Sequence, residues 1–313
     1  MRLKVLGSAA GGGFPQWNCN YWLSRSARNG EYGFRARTQS SLGVSSPDGK
    51  GWILFNASPD IREQMAATPE LQPGEDGPLR ASPLQAVVLT NADVDHIAGL
   101  LSLRERHRFV IYATARVLRV LAENSIFNVL DRQLVERREL PLNIPTPIAD
   151  WQGRPTSIVV EAFPVPGKVA LFLEDAGKAE EGFGTREGDT VGVRIRQEGS
   201  DSSVLYVPGC AAIDADLKER ISAAACLLFD GTVYTDDEML SAGVGTKTGR
   251  RMGHLHIGGA EGSMALLADI APERRIYVHI NNTNPILDEN SPEAAAVRAG
   301  GWEIGYDGME ISV

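Results

Sequence analysis

The chain has 313 residues, enough to bury a large core, and its 31 basic and 40 acidic side chains leave a net charge of −9. That balance excludes a general nucleic-acid surface and a stable anionic-membrane surface, because both need clustered Lys and Arg. No stretch approaches the ~18–20 apolar residues of a membrane span, and the three cysteines, Cys19, Cys210 and Cys226, are too few for a disulfide framework.

From the N-terminus, short Val- and Ile-rich runs bounded by Gly, Pro, Asn and Asp predict strands. The first, residues 3–6, turns at Gly7 and carries no apolar leader, so no secretory signal is expected. With the sparse, odd cysteine count this implies a cytoplasmic protein. Strands follow at 52–55 and 86–90, then a helix at 97–106 with Leu100, Leu101 and Leu103 on one side. A strand at 109–113 leads into a helix at 114–124. Strands are expected at 157–162, 169–174, 190–196, 204–207 and 226–229. A helix at 260–270 precedes a strand at 276–280. Ser291 before Pro292 caps a helix at 292–299, and a strand at 309–313 closes the chain. Residues 72–82 and 176–188 are Gly-, Glu- and Pro-rich; the second reads as a surface loop rather than a domain boundary. Strands alternate with helices without a strict βαβ rhythm. This predicts one α+β domain over residues 1–313, an αββα sandwich of two mixed sheets with helices outside.

Several predicted strands end in polar clusters. The strand at 86–90 releases Asn91, Asp93, Asp95 and His96 just before a Leu-rich helix. Side chains placed there can converge on one point and offer oxygen and nitrogen to a divalent metal. The alternative is a helix cap by Asp93 or Asp95 with His96 on the surface. His279 lies in an apolar strand, either as a hydrogen-bonded core imidazole or as a ligand, and Asn281, Asn282, Thr283 and Asn284 follow it. His254 and His256 form a His-x-His pair on a Gly-rich segment, with ligand, proton donor and plain loop all open. The strand at 52–55 ends at Asn56 and Ser58, and that at 204–207 runs to Cys210, which alone reads as a small buried hydrophobe. Asp230 closes the strand at 226–229, as ligand, orienter of a histidine or turn residue. The Gly-rich turn at 7–13 lacks the Lys and Ser/Thr of a phosphate loop, so its glycines serve close backbone approach beside a site.

In this order the segments resemble the metallo-β-lactamase superfamily. Its marks are a Gly-rich first turn, an Asp-x-Gly strand end, a His-x-His-x-Asp-His loop, a Gly-Asp strand end and a late histidine. Residues 7–13, 56–58, 91–96, Gly209 with Cys210, and His279 stand at those places. Asn91 and Asp93 replace two histidines, Cys210 replaces the bridging aspartate, and residues 163–168 supply no mid-chain histidine. The resemblance therefore implies one metal rather than two. Residues 7–20, 37–41, 56–61, 236–239, 243–250, 252–254 and 279–292 are more closely similar to the PqqB family of pyrroloquinoline quinone (PQQ) biosynthesis, over nearly the whole chain. Many of its members carry further cysteines just after the position of Cys19 as a structural zinc cluster. Residues 21–30 here hold none, so no such cluster is expected.

The resemblance implies a PQQ-biosynthetic enzyme, an iron-dependent, O2-using hydroxylase acting on the tyrosine ring of a cross-linked Glu–Tyr intermediate. Mononuclear Fe(II) would be held by Asp93 or Asp95, His96 and His279, with zinc the alternative occupant in purified protein. His254, with Asp95, would carry the chemistry as ligand or proton donor. Asn56, Ser58, Asn91, Asn281, Asn282 and Asn284 would hold the amino-acid-like substrate, and Cys210 and Asp230 would stand behind the ligands. The partners implied are the Glu–Tyr-derived precursor and O2, with other PQQ-biosynthesis proteins and a second copy of the chain as open alternatives. A carrier moving PQQ across the membrane into the periplasm and a zinc hydrolase are the competing functions.

Overall fold

A computed structural model describes residues 1–270 and 272–313. Among these described residues fourteen strands form two seven-stranded sheets. The first sheet has the order β14-β1-β2-β3-β4-β5-β6. It contains β1 (Arg2–Gly7), β2 (Ser41–Ser45), β3 (Trp52–Phe55), β4 (Leu84–Val88), β5 (Phe109–Ala113), β6 (Val135–Glu139) and β14 (Glu310–Ser312). The second has the order β13-β12-β11-β10-β9-β8-β7. It is built from β7 (Thr146–Ala149), β8 (Pro155–Pro164), β9 (Val191–Gln197), β10 (Ser203–Val207), β11 (Cys226–Asp230), β12 (Arg274–Val278) and β13 (Glu303–Ile304).

Alternate residues explain how the sheets meet. Ile53 and Phe55, Ala86 and Val88, and Val110 and Tyr112 face Val193 and Ile195, Val204 and Tyr206, and Ile276 and Val278 in one buried layer. The opposite faces are covered as well. Trp52, Leu54, Val87 and Ile111 pack on the helices Ile61–Ala66 and Ala115–Glu123. Leu205, Leu227, Phe229 and Tyr277 pack on the helices Ala215–Ser222 and Pro292–Ala299. β3, β4, β5, β10 and β11, buried on both faces, read as continuous apolar runs, which is why they were legible without alternation. The architecture is the predicted α+β, αββα arrangement of the metallo-β-lactamase fold.

β3 to β6 are mutually parallel, and so are β10 to β13. The carboxyl ends of β3, β4, β10, β11 and β12 carry the segments at 56–58, 90–96, 209–210, 230–232 and 279–284. Among the described residues no helix is long and apolar enough to cross a membrane.

Local structure departs from expectation at several points. The strand expected at 169–174 is a 3-10 turn, Leu171–Leu173, because Val169 N–H is taken by Thr185 Oγ1 and Leu171 N–H by Asp93 Oδ1. The helix expected at 97–106 is one α-turn, Val94–Ile97, continued as the 3-10 run Ala98–Leu103. Its hydrogen bonds are diverted: the His96 carbonyl accepts from Ala57 N–H, and Gly99 N–H donates to the Ala57 carbonyl. The helix expected at 260–270 shrinks to Ser263–Leu266, following Gly259 with φ +79°. β12 stops at Val278 because His279 takes a left-handed φ of +57°. Four strands were unforeseen: β2, whose Ser-Leu-Gly-Val-Ser run is not continuously apolar, and β6 with Glu136, Arg137, Arg138 and Glu139, β7 with Pro147 and the two-residue β13, which are sheet edges, where charge and proline are tolerated and apolar runs are not required.

Candidate metal and substrate site

Three side chains converge where the carboxyl ends of β4 and β12 face each other. Asp95 and His96 sit in the one-turn helix after β4, and His279 follows β12. Asp95 Oδ2 lies 3.2 Å from His279 Nε2 and 3.9 Å from His96 Nε2. One donor atom from each of the three lies within 4.8 Å of the others. His96 is 1% exposed, and its buried Nε2 has no hydrogen-bond partner. A buried ring nitrogen without a partner is costly unless something else binds it, so the donor set fits a divalent cation.

The groups behind these donors set their tautomers. His279 Nδ1–H donates to Thr232 Oγ1 at 2.8 Å, which turns Nε2 toward Asp95 and His96; there it donates its proton to Asp95 Oδ2 at 3.2 Å, a proton that a bound cation would displace. The Thr232 hydroxyl donates onward to Asp230 Oδ1 at 2.6 Å. His96 Nδ1 lies 3.5 Å from Thr90 Oγ1, and Asn56 clamps Thr90 through its side chain. Burial pushes His96 down to about 4, so its imidazole is neutral. Burial alone would raise Asp95, but the adjoining His96 ring and the hydrogen bond and charge of His279 hold it well below the usual carboxylate range. His279 is raised: burial lowers it, and its hydrogen bond to Asp95 and that carboxylate's charge outweigh the burial. An ionised carboxylate beside a neutral imidazole is the state a metal needs.

Asp230, His254 and His279 form a second group of compatible spacing. Asp230 is 0% exposed and already accepts from Cys210 N–H (2.9 Å), Thr232 N–H (3.0 Å), the Thr232 hydroxyl (2.6 Å) and His254 Nδ1 (2.7 Å). Ligating a metal would require it to abandon these donors. We therefore assign Asp230 as the orienter of His254 and, through Thr232, of His279. His254 stacks on His279 with ring centroids 5.1 Å apart, and it lines a cavity of about 320 Å³ with the three donors.

Asn91 and Asn281 also line this cavity. The other expected substrate contacts do not. Asn56, Ser58 and Asn284 are each 0% exposed. Asn56 serves Thr90, Ser58 accepts from Asp60 N–H, and Asn284 donates to the Gly231 carbonyl. Asn282 is buried against Gln16, to which its amide donates at 2.5 Å. Asp93 occupies the cap position of the helix, but its side chain makes no cap bond there. It turns away from the histidines, accepting from Leu171 N–H at 2.9 Å, with Lys168 Nζ 3.8 Å off. The Cys210 thiol donates to the Ala212 carbonyl, and burial, reinforced by the Asp230 charge, pushes it far above the ordinary thiol range. Only the backbone N–H of Cys210 serves the site. His256 does not line the cavity. As expected of the glycine turn, Gly11 approaches closely: a Cβ there would lie 3.4 Å from Asp95 Oδ2.

Sequence reasoning missed Gln16, Lys168, Thr232, Met239, Lys247 and Met252, all lining residues. Thr232 follows Asp230 by two positions, and its hydroxyl could have been suspected from that spacing. The lysines carry no local signal. A larger cavity of about 730 Å³ on the outer face, at Met65, Leu71, Leu79 and Phe109, contains none of the candidate residues.

This fold and donor set define a metallo-β-lactamase-like protein, and the beta-lactamase superfamily domain matches residues 51–280. Coenzyme PQQ synthesis protein B of Methylorubrum extorquens (strain PA1) is 49% identical over 313 residues, covering 100% of both chains. The crystal structure of Zn(2+)-bound PqqB from Methylobacterium extorquens, also 49% identical, superposes with a TM-score of 0.92 over 100% of both chains. A diphosphatase from the PhnP family shares the fold alone, at 17% identity and a TM-score of 0.66 over 100% of this chain and 97% of its own. The chain belongs to the family of coenzyme PQQ synthesis protein B.

Proposed function

We propose that the protein acts in PQQ synthesis as a mononuclear non-haem iron hydroxylase, adding oxygen to the tyrosine ring of a cross-linked Glu–Tyr compound. The observation that carries this reading is the convergence of Asp95 Oδ2, His96 Nε2 and His279 Nε2, two imidazoles and one carboxylate at the wall of a cavity. Such a set leaves positions free for dioxygen and substrate. The full-length similarity to coenzyme PQQ synthesis protein B supports the placement in PQQ synthesis.

Asp95, His96 and His279 would hold the iron, which supplies activation of dioxygen when bound. Asp230 fixes His254 Nδ1–H at 2.7 Å, which leaves Nε2 to accept a proton from the phenol or ring. The Asp230 charge stabilises the imidazolium so formed, as a buried carboxylate does behind a general base. Asn91 and Asn281 orient the substrate's polar groups at the cavity wall. In the balance, one ring C–H becomes C–OH and the second oxygen atom leaves as water. Two electrons and two protons come from an external enediol reductant, ascorbate in the assay.

The test is anaerobic loading with Fe(II), then air, ascorbate and the Glu–Tyr compound, with mass analysis of the product. Insertion of oxygen into the ring is expected, at about one iron per chain. Recovery of the compound unchanged and bound one to one would overturn the reading in favour of a carrier. Cleavage by zinc-loaded protein, without oxygenation by the iron form, would favour a hydrolase, since three protein donors also suit zinc.

A further inference from the structure

We propose that Lys168 and Lys247 form a clamp for carboxylates at this cavity, selecting amino-acid substrates that carry more than one carboxylate. The inference rests on the reading of the cavity as the substrate site. Both lysines line it together with Asp95, His96 and His279. Neither was suggested by the sequence, because one follows β8 and the other precedes His254 by several residues.

The clamp is visible in a charge imbalance. Lys168, Lys247 and Arg251 surround a single carboxylate, Glu174. Arg251 takes that carboxylate bidentately, at 2.6 and 3.2 Å, with its guanidinium 3.4 Å from the Phe183 ring centroid. The lysines are left with longer contacts, 3.6 Å from Lys168 and 3.4 Å from Lys247. Lys168 also lies 3.8 Å from Asp93, whose same oxygen already accepts from Leu171 N–H. An ammonium carries three donors, so both lysines keep N–H groups for another anion. In this cluster beside the cavity three cations, Lys168, Lys247 and Arg251, meet two carboxylates, Glu174 and Asp93, in a chain whose net charge is −9. The hydrogen bond from Arg251, reinforced by both lysines, holds the Glu174 carboxyl down to about 2, so Glu174 stays an anion throughout. It therefore acts as an internal stand-in, keeping the lysines together until a substrate carboxylate arrives. A substrate bound in this way presents its carboxylates to the lysines and its ring to Asp95, His96 and His279.

The test reads binding, so that it does not depend on turnover. Full-length protein loaded with zinc, which is redox-inert, is titrated calorimetrically with the dipeptide glutamyl-tyrosine and with its dimethyl ester. The diacid is expected to bind about tenfold or more tighter than the diester, and increasingly weakly as salt rises. Lys168→Met and Lys247→Met should each weaken the diacid about tenfold and leave the diester unchanged. Glu174→Gln, which removes the internal competitor, should tighten the diacid. A merely structural role for the cluster would make all three variants weaken binding together, and that result would overturn the clamp. So would equal affinity for diacid and diester, or no binding of the diacid. Discrimination by charge without oxygenation in the iron assay would leave the clamp standing and sink the hydroxylase instead.

Discussion

Asp230→Asn is the sharpest perturbation of the support behind the histidines. The side chain keeps its shape, so packing is preserved, but one oxygen becomes an NH2 group. Asp230 Oδ1 now accepts from Thr232 N–H and its hydroxyl, and Oδ2 from Cys210 N–H and His254 Nδ1. Whichever side the new NH2 occupies, one backbone N–H, of Thr232 or of Cys210, is left facing a donor. A buried donor without an acceptor costs about 1–3 kcal/mol. The surviving contacts lose their charge assistance, at about 1 kcal/mol. The loss should be on the order of 3 kcal/mol, seen as a lower urea midpoint at unchanged m value. A second readout separates orientation from stability. Nitrogen NMR should find the His254 proton fixed on Nδ1 in the parent protein and no longer confined there in the variant. A midpoint shift worth less than about 0.5 kcal/mol, with the tautomer unchanged, would refute the role given to Asp230.

His279→Ala and His96→Ala should each lose bound iron and oxygenation while retaining the far-UV spectrum. His254→Ala should keep appreciable metal and lose ~10²–10⁴-fold in single-turnover rate; loss of metal from it instead would make His254 a ligand. Burial lifts the Glu238 carboxyl from an ordinary 4.5 to about 7, where it accepts from Tyr234 N–H and the Thr283 hydroxyl. The folded chain therefore holds a proton that the unfolded chain has released between those values. The stability it contributes is full below about pH 4.5 and lost as pH rises through 7. Glu238→Gln, which cannot ionise, should gain on the parent protein by about 3 kcal/mol across that window, measured by urea unfolding at each pH; a flat difference would count against the assignment. Limited proteolysis should cut first within residues 176–188, leaving the fragments associated, whereas two independently folding halves would overturn the single-domain reading.

The polar clusters at strand ends were legible in the sequence because they interrupt apolar runs, a strictly local contrast. His96, His279 and the alternatives Asp93 and Asp95 were all marked in that way, and so were β3, β4, β5, β10 and β11, central strands whose two faces are both buried. Local contrast could not choose between the two aspartates. That choice belongs to a helical turn whose hydrogen bonds are diverted by Ala57, so that Asp95 faces His279 and Asp93 faces Lys168. Nor could it separate asparagines that face the cavity, such as Asn91 and Asn281, from Asn56 and Asn284, which secure backbone and side chains beneath it. An amide side chain has the same composition in either place, and only its partners differ. The lysines were invisible for a related reason: Lys168, Lys247 and Glu174 meet only after the sheets pack and bring the loops at their carboxyl ends together. Composition and periodicity determined the core strands and where their polar ends fall; the long-range packing of two parallel-strand edges decided which of those ends share a site.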